Sequence, residues 1–402
     1  MTPASACRSH QAARDVSWQQ ARELAHAAAR PLPDRDVPLA QASGLTLAGD
    51  VRAQSAMPAF DTAAMDGYAV AGLGTEAGPW RVVGVARAGA VWAGAALAAG
   101  QAVEISTGAP VPAGAHAVVP IERTVVDGTL VHAPAPRPGE HIRRAGEDAP
   151  AGTCMASAGT RIGPALLGLA AACGYDALPV RPAPRVRVLI TGDELVGSGQ
   201  PRPGCVRDAL GPLLPPLIAA LGGQATGLQH VPDRPAGLLA AAVHASQDAE
   251  VIVVTGSTSV GATDQLRHLL ADSGARWVVD TVACRPGHPQ LLAELADGRQ
   301  VIGLPGNPYA ALVAAHTLLG PLLDGLSGRP LPALPLIPVH GDAASAGRLT
   351  RLMPVTWAGS GARIIAGHRA AFLRGAAHAD ALAALPPGWT PGEPAPLLLL
   401  PR

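Results

Sequence analysis

Lysine is absent from all 402 residues, so every fixed positive charge in this chain is an arginine. A planar guanidinium and a compact ammonium hold oxyanions differently, and only the first is on offer here. Net charge is absent as well: thirty basic residues balance thirty acidic ones. No overall field recruits nucleic acid or an anionic membrane, and any anion site must be local. The five cysteines (Cys7, Cys154, Cys173, Cys205, Cys284) form no CxxC pair and no second Cys/His cluster. That argues against a zinc module or a disulfide scaffold and for small buried hydrophobes. The N-terminus MTPASACRSHQAARDVSW lacks the apolar stretch of a signal peptide, and no later run reaches the ~20 uncharged apolar residues of a membrane span. The expectation is a soluble, cytoplasmic protein. No repeat of roughly 20 to 50 residues is visible.

What is present divides the chain. Its length suggests two to four folding units of roughly 100 to 200 residues each. From Val16 to Ala29 the pattern is helical, with Trp18, Ala21, Leu24 and Ala25 on one face. Short alternating runs separated by Gly and Pro then fill residues 45–139, as in a β-rich domain. Within them Asp127-Gly128 marks a hairpin turn. Helical periodicity returns after Gly163-Pro164, with proline at a first helical position. Two helical segments thus flank the β-rich block, and residues 10–44 plus 140–181 are expected to pack as one discontinuous domain carrying it as an insertion. Residues 182–329 alternate strands with crossover helices, the pattern of a mostly parallel α/β sheet. Residues 330–402 look β-rich again.

Three times in the α/β region an apolar run ends in a glycine turn and flows into a helix: VRVLITGDEL, VIVVTGSTSVGATD and VIGLPGNPYAA. Such folds gather anionic ligands at these strand ends, where backbone N–H groups cluster. A pocket is therefore expected near Thr191 to Glu194, Gly256 to Asp264 and Pro305 to Asn307. Asp193 and Glu194 can hold Mg²⁺ or a polar ligand, or merely favour a helix N-terminus. The Ser257-Thr258-Ser259 loop can wrap a phosphate. For Asp264 and Asn307 the plain alternative is N-capping, with Pro308 as the first helical residue. Asp61 and Asp66 bracket small residues before Gly67, and Thr107-Gly108 is a similarly placed turn. Such loop acids are usually solvated.

The set MPAFDTAAMDGYAV, STGAPVPAGAHAVVPIE, RRAGEDAPAG, ITGDEL, TGSTSVGATD, CRPGHP and GLPGNP, in this order and spacing, resembles the molybdopterin molybdenumtransferases, the family that includes the gephyrin E domain. The tail GSGARIIAGHRAAFLRGAAHADALAALPPG is similar to that family's C-terminal domain. The resemblance implies a multi-domain fold: a molybdopterin-binding α/β domain, an inserted β-rich domain and a small C-terminal β-barrel. It implies a homodimer with the active site between the α/β domain of one subunit and the MDGYA-bearing domain of the other. The implied reaction takes adenylylated molybdopterin, releases AMP with help from Mg²⁺, and inserts molybdate. Carried over by motif, Asp61, Asp66, Glu194 and Asp264 are the implied catalytic residues, and Asp66, Asp148, Asp233 and Asp264 the implied metal ligands. The implied ligand contacts are Thr107, Gly108, Thr191, Gly192, Gly256, Ser257, Ser259, Gly261, Arg285, His288, Pro305, Gly306, Asn307 and Pro308. A molybdopterin adenylyltransferase and apo-molybdoenzymes are implied partners.

The chain departs from the family pattern. Ala63 and Ala310 stand where the family carries serine, and Leu210 where it carries asparagine. Ser257-Thr258 replaces Gly-Val, and His288 replaces a lysine. These losses fall on oxyanion and nucleotide contacts, each worth about 1.5 to 3 kcal/mol when a charged group is involved. Thr62, Ser257 and His288 offer partial compensation. A catalytically weakened paralogue that carries molybdopterin or scaffolds a partner is thus the alternative, and an adenylyltransferase a third.

Overall fold

The computed structural model describes residues 14–72, 77–256, 265–344, 347–367 and 369–401. Its central sheet has six strands, in the order Gln224–Val231, Arg185–Thr191, Val251–Thr255, Gln300–Leu304, Leu291–Glu294 and Arg276–Val279. The first four run parallel and the last two antiparallel. Near-continuous apolar runs suit strands covered on both faces. Along them the side chains alternate between two cores: Val186, Val188, Ile190 and Val253 face one, and Leu189, Ile252, Val254 and Val301 the other. Helices Leu210–Ala220 and Pro308–Ala314 cover the first face, and Leu238–Ala245 with Gln265–Asp272 the second.

The helix from Pro308 continues through a π turn at Ala315–Leu319 into Gly320–Leu326. By length and apolar composition it could cross a membrane, yet 94% of that window is buried, as a core helix requires. Thr317 sits in the π turn, donating from Oγ1 to the Val313 carbonyl at 2.8 Å and accepting from Trp18 Nε1 at 3.0 Å.

That second bond corrects one expectation. Helix Trp18–Ala28 does not pack on helix Pro164–Ala172; it lies against Gly320–Leu326 and the π turn of the α/β domain. Its buried stripe is mostly small, Ala21 and Ala25 beside Trp18, which allows close approach. A Cβ on Gly325 would come within 2.6 Å of both Ala29 Cβ and the His26 carbonyl oxygen. The discontinuous body is built instead from strands Arg35–Pro38, Thr46–Leu47 and Ala177–Arg181, the pair Val51–Arg52 with Cys154–Ala156, and helix Pro164–Ala172. Residues 46–52, expected in the β-rich block, therefore belong to this body, because their strands pair with 177–181 and 154–156.

The insertion begins where Thr62–Ala63 pairs with Ile142–Arg143. It holds a six-stranded sheet in the order Val125–Asp127, Leu130–His132, Trp80–Ala86, Gln101–Ile105, Gly67–Val70, Ala117–Pro120. The Asp127-Gly128 turn forms as expected: Asp127 pairs with Leu130, and Gly128 takes a φ of 60°.

In the C-terminal domain Thr350–Ala358, Gly361–Ile364, Leu336–His340, Pro394–Leu399 and Ala381–Leu385 pair in succession. The last then pairs back to the first, closing a five-stranded barrel. Closure removes exposed edges. One strand of the ring extends beyond it: Val282–Arg285 pairs parallel with Thr350 and Arg351, and Val16–Ser17 pairs parallel with Val282 and Ala283.

Candidate active site

The strand ends meet backbone to backbone. Thr191 Oγ1 donates to the Thr255 carbonyl at 2.6 Å. Gly256 follows with a φ of 88°, and a Cβ there would lie 2.8 Å from the Thr191 carbonyl oxygen. Gly306 packs on Gly256 in turn, its absent Cβ 3.3 Å from the Gly256 Cα. Thr191, Gly256 and Gly306 thus come together, with Gly192, Pro305 and Asn307 beside them in sequence. One turn away, Asp233 N–H donates to Asp193 Oδ1 at 3.0 Å, and His230 Nε2 lies 2.8 Å from the Gly192 carbonyl oxygen. These bonds tie the Glu194 turn to the neighbouring strand end. Ser257, Ser259, Gly261 and Asp264 lie outside the described residues.

Beside the Pro305 turn opens a cleft of 680 Å³ whose lining includes Arg285, His288, Pro305, Asn307, Ala310, Arg351 and Arg369. Strand pairing sets Arg285 directly opposite Arg351. Like charges placed so are unfavourable without a counter-ion. Arg285 has no ion-pair partner among the described residues, while Arg351 Nη1 donates to the Ala344 carbonyl at 2.7 Å. Arg369 stacks over Phe372, 5.7 Å from the ring centroid. Asn307 occupies the N-cap position before Pro308, but its side chain makes no capping bond and lines the cleft instead. The floor is inert: burial pushes the Cys284 thiol up to about 12 and raises the Tyr309 phenol, whose O–H donates to the Leu352 carbonyl at 2.9 Å.

His288 is held from two sides. Its Nδ1 lies 2.8 Å from the Val282 carbonyl oxygen, and Val282 N–H donates back to the His288 carbonyl at 3.1 Å. Its Nε2 lies 3.5 Å from Asp15 Oδ1. Asp15, at a φ of 50°, is pinned by Thr281: its N–H donates to Thr281 Oγ1 at 2.9 Å, and that hydroxyl donates to Asp15 Oδ1 at 3.0 Å.

The acids of the insertion stand apart from this cationic group. Asp61 accepts from Ala145 N–H at 2.9 Å and from Arg144 Nη1 at 2.5 Å, and these bonds hold its carboxyl below the usual carboxylate range. Asp66 accepts from Thr107 N–H at 2.7 Å and Thr107 Oγ1 at 3.0 Å, with the same consequence. Both bonds fall on Oδ1, leaving Oδ2 outside them. Gly108 completes that turn at a φ of 79°. Asp148 belongs to the discontinuous body, where its N–H donates to the Met57 carbonyl at 2.9 Å. Among the described residues no three His, Cys, Asp or Glu side chains converge as a metal centre, so Asp66, Asp148 and Asp233 do not form a ligand set within one chain.

Residues 16–174 match the model of the MoeA N-terminal region (domain I and II), and residues 187–325 match that of a probable molybdopterin binding domain. The chain is 38% identical over 338 residues to molybdopterin molybdenumtransferase 2 of Mycobacterium tuberculosis, covering 80% of this chain and 81% of that one. The chain belongs to the molybdopterin molybdenumtransferase family. Another family member, the molybdopterin molybdenumtransferase of Synechococcus elongatus, is 36% identical over 322 residues, 77% of this chain and 80% of its own. The fold agrees: the crystal structure of the molybdopterin biosynthesis moeA protein of Pyrococcus horikoshii superposes with a TM-score of 0.80 at 22% identity, over 96% of this chain and all of that one.

Arg351 and Arg369 are the cleft residues that sequence reasoning missed. Neither sits in a glycine turn. They reach the cleft through the pairing of Thr350–Ala358 with Val282–Arg285 and through the loop that carries Ala370, whose carbonyl accepts from Ala310 N–H at 3.0 Å.

Proposed function

We propose that this protein is a molybdopterin molybdenumtransferase of molybdenum cofactor biosynthesis, taking adenylylated molybdopterin and molybdate and releasing AMP. The observation that carries the reading is the facing pair Arg285 and Arg351, with Arg369 in the same cleft, beside packed strand-end turns. A tetrahedral dianion bridging two guanidiniums takes paired, charge-assisted hydrogen bonds from both. The strand-end turns supply backbone N–H groups for the phosphates of the adenylylated pterin. Asn307, its side chain unspent on capping, orients the ligand at the boundary between the two.

Mg²⁺ fits this chemistry as an ion arriving with the nucleotide, since it commonly takes one or two carboxylates and completes its shell with phosphate oxygens and water. Asp66 is the carboxylate suited to it, with Oδ1 held by Thr107 and Oδ2 left for the ion. Bound there, Mg²⁺ would neutralise charge on the departing phosphate. Asp66 and the cationic cleft lie in different domains, and the reading includes a homodimer in which the acidic loop of one copy completes the cleft of the other. Exposed Phe60 and Met65 beside that loop support a contact there. An adenylyltransferase supplying the substrate and apo-molybdoenzymes receiving the product are the partners this reaction calls for.

One observation favours a second reading. Ala310 and His288 face the cleft without a hydroxyl or a fixed ammonium, which suits a binding protein that carries the cofactor. The test is an assay with adenylylated molybdopterin, Mg²⁺ and molybdate that follows AMP release and active cofactor. Release of both is the expected result; tight binding with no release would make the chain a carrier.

A further inference from the structure

The cleft holds one imidazole, and the fold has fixed which of its nitrogens carries the hydrogen. The Val282 carbonyl 2.8 Å from His288 Nδ1 can only accept, so Nδ1 carries a hydrogen. A neutral ring in that tautomer shows a lone pair at Nε2. Toward an oxyanion such a nitrogen is acceptor against acceptor. Once protonated, Nε2 becomes a charged donor. The reciprocal bond from Val282 N–H to the His288 carbonyl fixes the backbone that presents the ring.

We propose that His288 makes oxyanion binding in this cleft depend on pH, with affinity rising as Nε2 takes up a proton. The inference rests on reading the cleft as an oxyanion site. The other charged and titratable groups around the ring are Asp15, just before strand Val16–Ser17, at 3.5 Å, Arg285 at the end of strand Val282–Arg285, and Arg351 and Arg369 from the barrel domain. Cys284 and Tyr309 in the same lining are both pushed upward by burial and stay protonated. Asp15 is an acceptor that pairs with the ring in its charged form, and a ligand oxygen competes with it for Nε2–H.

The test is calorimetric titration of the full chain with molybdate alone, from pH 6 to pH 8.5. The dissociation constant of the wild type should rise about tenfold or more across that range, the scale of one hydrogen bond to a charged group. His288→Lys, charged throughout, should bind tightly with a flat profile. His288→Gln, neutral throughout, should bind weakly with a flat profile at unchanged Tm. Wild-type binding that does not vary with pH, or an undiminished slope in His288→Lys, overturns the inference and leaves the reading of the cleft intact. Failure of every variant to bind molybdate at any pH overturns both.

Discussion

The cationic cleft and the acidic loop of the insertion are built on opposite plans. Asp61 and Asp66 meet partners that satisfy them: Arg144 and Ala145, 83 and 84 positions away, for one, and Thr107, 41 positions away, for the other. Arg285 and Arg351 are brought together from 66 positions apart by strand pairing and are set against each other. The acids are satisfied by bonds within the fold, whereas Arg285 has no ion-pair partner among the described residues.

The largest effect should come from breaking the turns beside the cleft. Gly256→Ala places a Cβ against Thr191 at a left-handed φ, and should cost about 2 kcal/mol or more of stability; urea unfolding checks this. Next, Arg285→Ala removes one half of the facing pair. Molybdate affinity should fall about 10- to 100-fold, the worth of a charge-assisted hydrogen bond, while Tm holds or rises because a repulsion has gone. A fall in Tm with unchanged affinity would show that the pair is structural. Asp66→Asn should slow Mg²⁺-dependent AMP release about tenfold or more and leave molybdate affinity alone; loss of both would join the two regions into one.

A smaller effect separates the acids by pH. Bonds from Ala145 N–H first, and from Arg144 second, depress the folded-state pKa of Asp61. The stabilisation is present above the unfolded carboxylate range of ~4 and is lost as pH falls through the folded value. Asp61→Asn should flatten Tm against pH in that acid window and change nothing between pH 6 and 8. Ala310→Ser should have the least effect. It adds a hydroxyl at a buried cleft position and should tighten ligand binding by a factor of about 2 to 5, on the scale of one net hydrogen bond.

The apolar strands ending at Gly256 and Gly306 were legible in the sequence because each signal is local, but VRVLITGDEL does not run into a helix as expected: Leu195–Val196 pairs with Val206–Arg207 after its turn, and the next helix starts at Leu210. The hairpin at Gly128 and the proline-led helix at Pro164 were legible for the same reason. Partner choice was not. The stripe of Trp18, Ala21 and Ala25 announces a helix that will be covered, but Gly325, about 300 residues on, decides what covers it. Asn307 has the position of a cap but makes no capping bond and lines the cleft, which only the folded chain shows. Arg351 lies in an ordinary strand, and nothing near it in sequence reveals that Arg285 is its neighbour.

The seven-stranded sheet beside the cleft has a consequence for how the protein comes into being. It joins Val16, Val282 and Thr350 side by side, so its pairing spans the early, middle and late parts of the polypeptide. Contacts of such long separation form slowly and late. During synthesis the inserted domain can fold as it emerges, while the anion cleft stays unmade until residue 351 has left the ribosome. A chain stalled before that point would keep its acids in place and lack the Arg351 wall of the cleft.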